Sequence, residues 1–312
     1  MATFKKVESL FGMRRTLSFV LAIVFLTSPI PSSGTTVVTI ITPVGIVIAS
    51  DSGSDTHTGD HSTNRKGTTT KLAVVQGHIV VASIGTSSID VGKTSFYDFH
   101  DWIKMIAGGL PGRVSVADLA TIIQKQSAAT FANNDEFLDR GILKQEKPLE
   151  KYEKFVEYVI AGYSDGRPEM YVVQFYIDWN SKKFVGPIRT LIPSTSKTDG
   201  GYQMNFFGVT QALDDLKNER SWAYKHVAAN CTAFQTMMRG EVITMDEADA
   251  VARAFVETEE EVDPSEVFGA VGSIRVLLDG SVSQQAPAST NNPCRVPPKP
   301  KAVTVDRART RP

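Results

Sequence analysis

Cysteine is almost missing from this sequence: Cys231 and Cys294 are the only two in 312 residues. Two can pair in an oxidising compartment, but they cannot build a disulfide framework, and their placement offers no zinc spacing. An excess of one charge is missing too. The 33 Lys and Arg nearly balance 34 Asp and Glu, which argues against the phosphate-binding surface that nucleic-acid proteins carry. No internal repeat is visible. The hydrophobic content of 42% is that of an ordinary globular core, enough for one large domain or two modest ones.

The front of the chain reads as an export signal. Lys5, Lys6, Arg14 and Arg15 precede the apolar run LSFVLAIVFL, Leu17 to Leu26, and then come Pro29, Pro31 and the small residues Ser32, Ser33 and Gly34. Ten such residues fall short of the ~20 that span a bilayer, so a cleaved leader over 1–34 is expected rather than a stable membrane anchor. Without it, 29 Lys and Arg face 33 Asp and Glu, a net charge of −4. The mature domain is expected over 35–283. A Pro-rich and polar tail, expected to be disordered, follows over 284–312.

Apolar runs rich in Val and Ile over 36–42 and 45–50, split by Pro43-Val44, predict a hairpin, and a second is expected at 71–75 and 78–84 around Gln76-Gly77. The segment between them, SGSDTHTGDHSTNRKGTT, reads as a polar loop. Its Asp55, His57, Asp60 and His61 fit a solvated loop better than a metal site. Helical spacing of Phe96, Phe99, Ile103 and Ile106, and Ser115 ahead of Leu119 and Ile123, predict two helices. Ser87 and Ser88 read as caps of the first helix. A charged connection is expected over 134–153, then strands at 155–163 and 170–176 around Ser164-Asp165-Gly166. Two further helices follow, one opened by the capping box of Thr244 and Glu247, and a last strand over 273–279. This order predicts an α+β fold of two packed sheets with helices outside.

A two-residue turn joining Thr42 to Gly45 sets opposite residues to sum to 87, so Thr36 faces Asp51 and Thr35 faces Ser52. A cut after Gly34 would give Thr35 a free α-amine beside its own hydroxyl. That amine, with a reference pKa of about 7.7–8.0, accepts a proton at neutral pH, whereas a lysine near 10.4 stays charged. Lys71 is the candidate cation and Asp51 its counter-charge, with Lys66 as the fallback.

Gly34-Thr35-Thr36 ahead of a hydrophobic hairpin, Asp51-Ser52, Lys71-Leu72, ASIGTSSID (82–90) and VIAGYSDGRPEMYVV (158–172) together resemble the N-terminal nucleophile hydrolases of the proteasome β-subunit family. The resemblance covers about 35–280. It implies a four-layer αββα sandwich, Thr35 as nucleophile with its α-amine as base, Asp51 and Lys71 orienting the pair, and the Gly85 N–H facing the oxyanion. It also implies a peptide or unfolded-protein substrate, a homo-oligomeric ring and no cofactor or metal. Val209, Val267 and Ala270 stand where the family carries polar side chains, with Thr210, Asp263 and Glu266 nearby. A non-catalytic relative and a small-amide hydrolase are the alternative readings.

Overall fold

The computed structural model describes residues 35–58, 65–68, 70–85, 87–91, 94–132, 152–178, 180–181, 183–193, 202–264, 267–284 and 293–294. The expected leader and most of the charged span at 134–153 lie outside them, as do Asp60, His61 and Glu266.

Strands β1 (Thr36–Thr42) and β2 (Gly45–Ser50) pair antiparallel from Thr42↔Gly45 to Val37↔Ser50, the register expected from the two-residue turn. Every residue of both is buried. Strands covered on both faces need apolar side chains in both directions, which explains the unbroken Val and Ile runs. β12 (Gln203–Gly208) flanks β1, and β13 (Gly272–Leu277) and β14 (Val282–Gln284) follow β2, giving the antiparallel order β12-β1-β2-β13-β14.

The second sheet is also antiparallel, in the order β11-β10-β9-β6-β5. It holds β5 (Leu72–Val75), β6 (Ile79–Gly85), β9 (Tyr152–Ser164), β10 (Arg167–Asp178) and β11 (Lys183–Ile192). Gln76-Gly77 and Asp165-Gly166 close its hairpins with both residues at positive φ, the turn whose twist suits adjoining strands.

The described residues also hold six α-helices: α1 (Phe99–Gly108), α2 (Val116–Ser127), α3 (Gln211–Asp214), α4 (Trp222–Asn230), α5 (Thr232–Met238) and α6 (Met245–Val262). Alternation along the strands separates three apolar clusters. Val37, Ile41, Ile46 and Ile48 of the first sheet meet Leu72, Val80, Ala82 and Val159 of the second. The other face of the second sheet, with Val81, Tyr158 and Ile160, packs on Phe99, Trp102, Leu119 and Ile123 of α1 and α2. The other face of the first, with Val38, Ile40, Val47 and Ala49, packs on Val251, Ala252 and Phe255 of α6. The molecule is therefore α+β with two antiparallel sheets, and the α6 capping box forms as the sequence predicts.

Several expectations are corrected. The polar segment after Asp51 is not all loop: β3 (Gly53–Thr58) and β4 (Arg65–Thr68) pair antiparallel within it, because main-chain pairing does not require apolar side chains. The hydroxyls of Ser87 and Ser88 are not the cap of α1, although the Ser87 carbonyl accepts the Phe99 N–H at 2.9 Å. β7 (Ser88–Val91) and β8 (Thr94–Asp98) intervene, and the Asp98 carboxylate accepts the N–H groups of His100 and Asp101 at the start of α1. Four helices, not two, lie between β12 and β13. The tail is not free throughout: Cys294 is fully buried and disulfide-bonded to Cys231, and the Pro293 carbonyl accepts the Thr232 N–H at 3.2 Å. No helix among the described residues is long and apolar enough to cross a membrane.

The disulfide joins residues 63 apart, and closing a loop of that length restricts the unfolded chain by about 4 kcal/mol. Cys294→Ser is expected to lower unfolding free energy by up to about that amount in urea, and a reductant should lower the wild type but not the variant. At α3, the Glu259 carboxylate accepts the N–H groups of Ala212 and Leu213 at 2.9 and 3.1 Å, yet burial pushes its pKa up to about 7. A group whose folded value is raised gives its greatest stability below the unfolded value, near 4.3, and loses it as pH rises through the folded one. Stability should therefore fall by on the order of 3 kcal/mol between about pH 4.5 and 7. Glu259→Gln, which keeps an acceptor but cannot ionise, should flatten that slope in urea titrations at each pH.

Candidate active site

The hairpin register carries a carboxylate to the first described residues. Asp51 follows β2 directly, and its Oδ1 accepts the Thr36 N–H at 2.8 Å, the cross-strand partner expected from pairs summing to 87. Its other oxygen, Oδ2, accepts from Lys71 Nζ at 2.8 Å and from the Gly53 N–H at 3.2 Å. Lys71 Nζ also donates to Thr35 Oγ1 at 2.5 Å. One ammonium thus bridges hydroxyl and carboxylate. Thr35 is fully buried, and Asp51 and Lys71 are 1% and 2% exposed, so the pair sits where water screens little.

Local structure explains why Lys71 reaches across. Its carbonyl accepts the Ser83 N–H at 2.9 Å, which extends the β5–β6 ladder one step beyond Leu72↔Ala82. The residue is thereby held as strand at the end of the second sheet that faces the start of β1. Lys66, the fallback, lies opposite Asp55 in the β3–β4 pair; Lys71 is the lysine at the site.

The Thr35 main chain is fixed from β12. Its carbonyl accepts the Val209 N–H at 2.9 Å, and Thr36 Oγ1 donates to the Val209 carbonyl at 2.6 Å. Gly208 has φ +83, and a Cβ there would stand 1.9 Å from the Thr35 carbonyl oxygen and 3.0 Å from Ile84 Cγ2. Only glycine permits that approach. The same contact brings Ile84, which precedes Gly85 at the end of β6, close to the Thr35 carbonyl. Gly85 has φ +84, with the Phe155 carbonyl oxygen 2.6 Å from where a Cβ would stand.

Burial pushes the Asp51 carboxyl above its ordinary value, while the Lys71 ammonium and the N–H groups of Thr36 and Gly53 pull it back. Every donor at this carboxyl suits the ionised form. The ammonium next to Thr35 Oγ1 favours the hydroxyl over other neutral groups as a site where negative charge can develop.

Val209, Val267, Ala270 and the polar residues near them behave differently from one another. Val209 serves Thr35 and Thr36 through its main chain. Val267 is fully buried in the apolar cluster under α6. Ala270 donates its N–H to Ser52 Oγ at 2.9 Å. Thr210, just ahead of α3, donates its Oγ1 to Asp214 Oδ2 at 3.3 Å, and Asp263 follows α6, its N–H going to the Glu259 carbonyl. Sequence reasoning overlooked Ser52 as a clasp for the Ala270 loop, although its place opposite Thr35 in the hairpin register marks it. A cavity lined by Gln76, His78, Arg113, Asp279 and Ser281 opens at the opposite end of the sheets.

No protein-family model matches the chain, and no curated protein matches it either. The buried ion pair gives a direct test of the geometry. Removing one partner of such a pair costs about 3–5 kcal/mol, because the other charge stays buried alone. Asp51→Asn and Lys71→Met should each lose about that much in urea unfolding. The double variant should lose clearly less than the two together; an additive loss would mean that the two side chains do not interact.

Proposed function

We propose that this chain is the precursor of an exported threonine-nucleophile amide hydrolase, a peptidase of the proteasome β-subunit-like class with the four-layer αββα arrangement of N-terminal nucleophile hydrolases. The observation that carries the reading is the buried bridge from Thr35 Oγ1 through Lys71 Nζ to Asp51 Oδ2, at 2.5 and 2.8 Å. The three clusters of sheet on sheet and helix on sheet support the fold.

Cleavage after Gly34 frees the Thr35 α-amine. The amine takes the proton of Oγ1 as that oxygen attacks a substrate carbonyl carbon. The Lys71 ammonium, kept charged by Asp51, stabilises the developing alkoxide, and the Gly85 N–H faces the oxyanion of the tetrahedral intermediate. The intermediate collapses when the leaving amine takes the proton from the α-ammonium, which leaves an acyl ester on Thr35. Water, deprotonated by the same amine, then releases the acid and restores the hydroxyl. Lysine is not the base here: its contact with a buried carboxylate favours the protonated form.

An exported enzyme would take peptides or already unfolded chains, and a homo-oligomeric ring is part of the same proposal by fold analogy. A buried disulfide between Cys231 and Cys294 agrees with an oxidising compartment. The second reading is a non-catalytic subunit. It draws on Val267, an apolar side chain buried where the family has a carboxylate.

N-terminal sequencing of the mature protein and labelling with an electrophile directed at N-terminal threonine test both readings. A chain beginning at Thr35, labelled there, with amide hydrolysis reduced at least about a thousandfold in Thr35→Ala, is the expected result. A mature chain that begins elsewhere would sink the mechanism, and one that begins at Thr35 but resists the label would favour the inert subunit.

A further inference from the structure

Arg253 of α6 is buried, 5% exposed, where the helix meets β13. Its guanidinium fork holds three groups at once. Nε donates to Asp249 Oδ2 at 3.1 Å, one helical turn back on the same face. Nη1 donates to the Val271 carbonyl and Nη2 to Ser273 Oγ, both at 2.7 Å. Ser273 Oγ donates in turn to Asp249 Oδ1, which closes the ring. A buried arginine is tolerated only when its arms find partners, so the fork specifies where Val271 and Ser273 must lie.

The residues just before them are pressed against the turn that carries Asp51. The Phe268 carbonyl oxygen lies 2.6 Å from where a Gly53 Cβ would stand, and a Gly269 Cβ would stand 2.6 Å from Ser52 Oγ. Ala270 donates its N–H to Ser52 Oγ at 2.9 Å, and Gly272 pairs with Ser50, the residue before Asp51. The Gly53 N–H donates to Asp51 Oδ2, the same oxygen that accepts from Lys71 Nζ. Contacts and covalent bonds therefore run without a gap from Arg253 through residues 268–272 and the Asp51 turn to Lys71.

We infer that Arg253 is a positioning residue of the Thr35 site: it fixes the loop 268–272 against the turn from Asp51 to Gly53, and so sets where the Asp51 carboxylate meets Lys71. The catalytic purpose rests on the threonine-hydrolase reading, whereas the hold on the ion pair does not. Misplacing a catalytic group by about 1 Å from a distance can cost on the order of a hundredfold in rate. Lysine is no substitute at 253, because a point charge on a flexible stem cannot hold a carboxylate, a carbonyl and a hydroxyl in one fixed fork. Arg275 Nη2 lies 3.4 Å from Asp249 Oδ2, so that carboxylate keeps a partner when the fork is removed.

Two measurements on Arg253→Lys test this. The first repeats the urea cycle of Asp51→Asn and Lys71→Met on the full chain carrying Arg253→Lys. The interaction energy of the two side chains should fall to about half its wild-type value or less; an unchanged value would overturn the inference. The second follows labelling of Thr35 in the mature protein by an electrophile directed at N-terminal threonine. Its rate at saturating electrophile should fall by about ten- to a hundredfold, with the half-saturating concentration unchanged. Ser52→Ala, which removes the contact between loop and turn, should also slow labelling, and the double variant should be no slower than the slower single one. Losses that multiply would show that Arg253 acts by another route, and would overturn the inference as well. If Arg253→Lys does not fold, Ser273→Ala, which withdraws one arm of the fork, takes its place in both measurements with the same expectations. A wild type that takes no label counts against the hydrolase reading alone, because the ion-pair cycle decides the role of Arg253 without it.

Discussion

Everything at this site depends on keeping one ammonium and one carboxylate charged where water has been removed. Burying each ion costs several kcal/mol, and their attraction offsets that cost only when the remaining lone pairs and protons also find partners. Asp51 meets the condition with Lys71 on one oxygen, shared with the Gly53 N–H, and the Thr36 N–H on the other. Lys71 meets it with Asp51 and the Thr35 hydroxyl. These partners come from β1, the residues after β2, and the approach to β5. Two sheets must therefore be in register before the pair can form.

That requirement explains the strict construction of the surrounding strands. A slip of one residue in the β1–β2 pairing would turn every side chain to the opposite face, carrying Val37 and Ile41 out of the inter-sheet cluster and removing Thr36 from Asp51. The apolar core and the polar site are thus set by the same register. The inter-sheet cluster holds the two sheets together, and the Gly208 contact brings β12 and the end of β6 against the Thr35 main chain. Packing energy, which is plentiful in a core of this size, holds an arrangement of charges that would not be stable by itself.

Much of this was legible because local signals agreed with tertiary ones. The pairs summing to 87 needed only a turn length and two apolar runs. Gln76-Gly77 and Asp165-Gly166 announced turns by residue type, and Thr244 with Glu247 announced a helix start. Other features carried no such mark. β3 and β4 form from Ser, Thr, Asp and Arg, whose side chains give no periodic apolar pattern. Ser87 and Ser88 have the right chemistry for a cap, but Asp98 lies where the helix begins, and only the fold decides between them. Cys294 sits in a sequence with the composition of a disordered tail; burial against α4 and α5 depends on one long-range bond that composition does not encode.

Val209, Ala270 and Val267, the apolar residues around the site, show which of its contacts depend on side-chain identity. At Val209 both contacts to the threonine pair are made by main-chain N–H and C=O, groups that any non-proline residue carries, so a valine there leaves them intact. Ala270 likewise uses its N–H, and the hydroxyl in that contact belongs to Ser52. Val267 differs, because what it contributes is its side chain, fully buried in the apolar cluster beneath α6. A polar side chain in its place would be costly to bury there unless it found a hydrogen-bond partner, so this position, unlike the other two, does depend on side-chain identity.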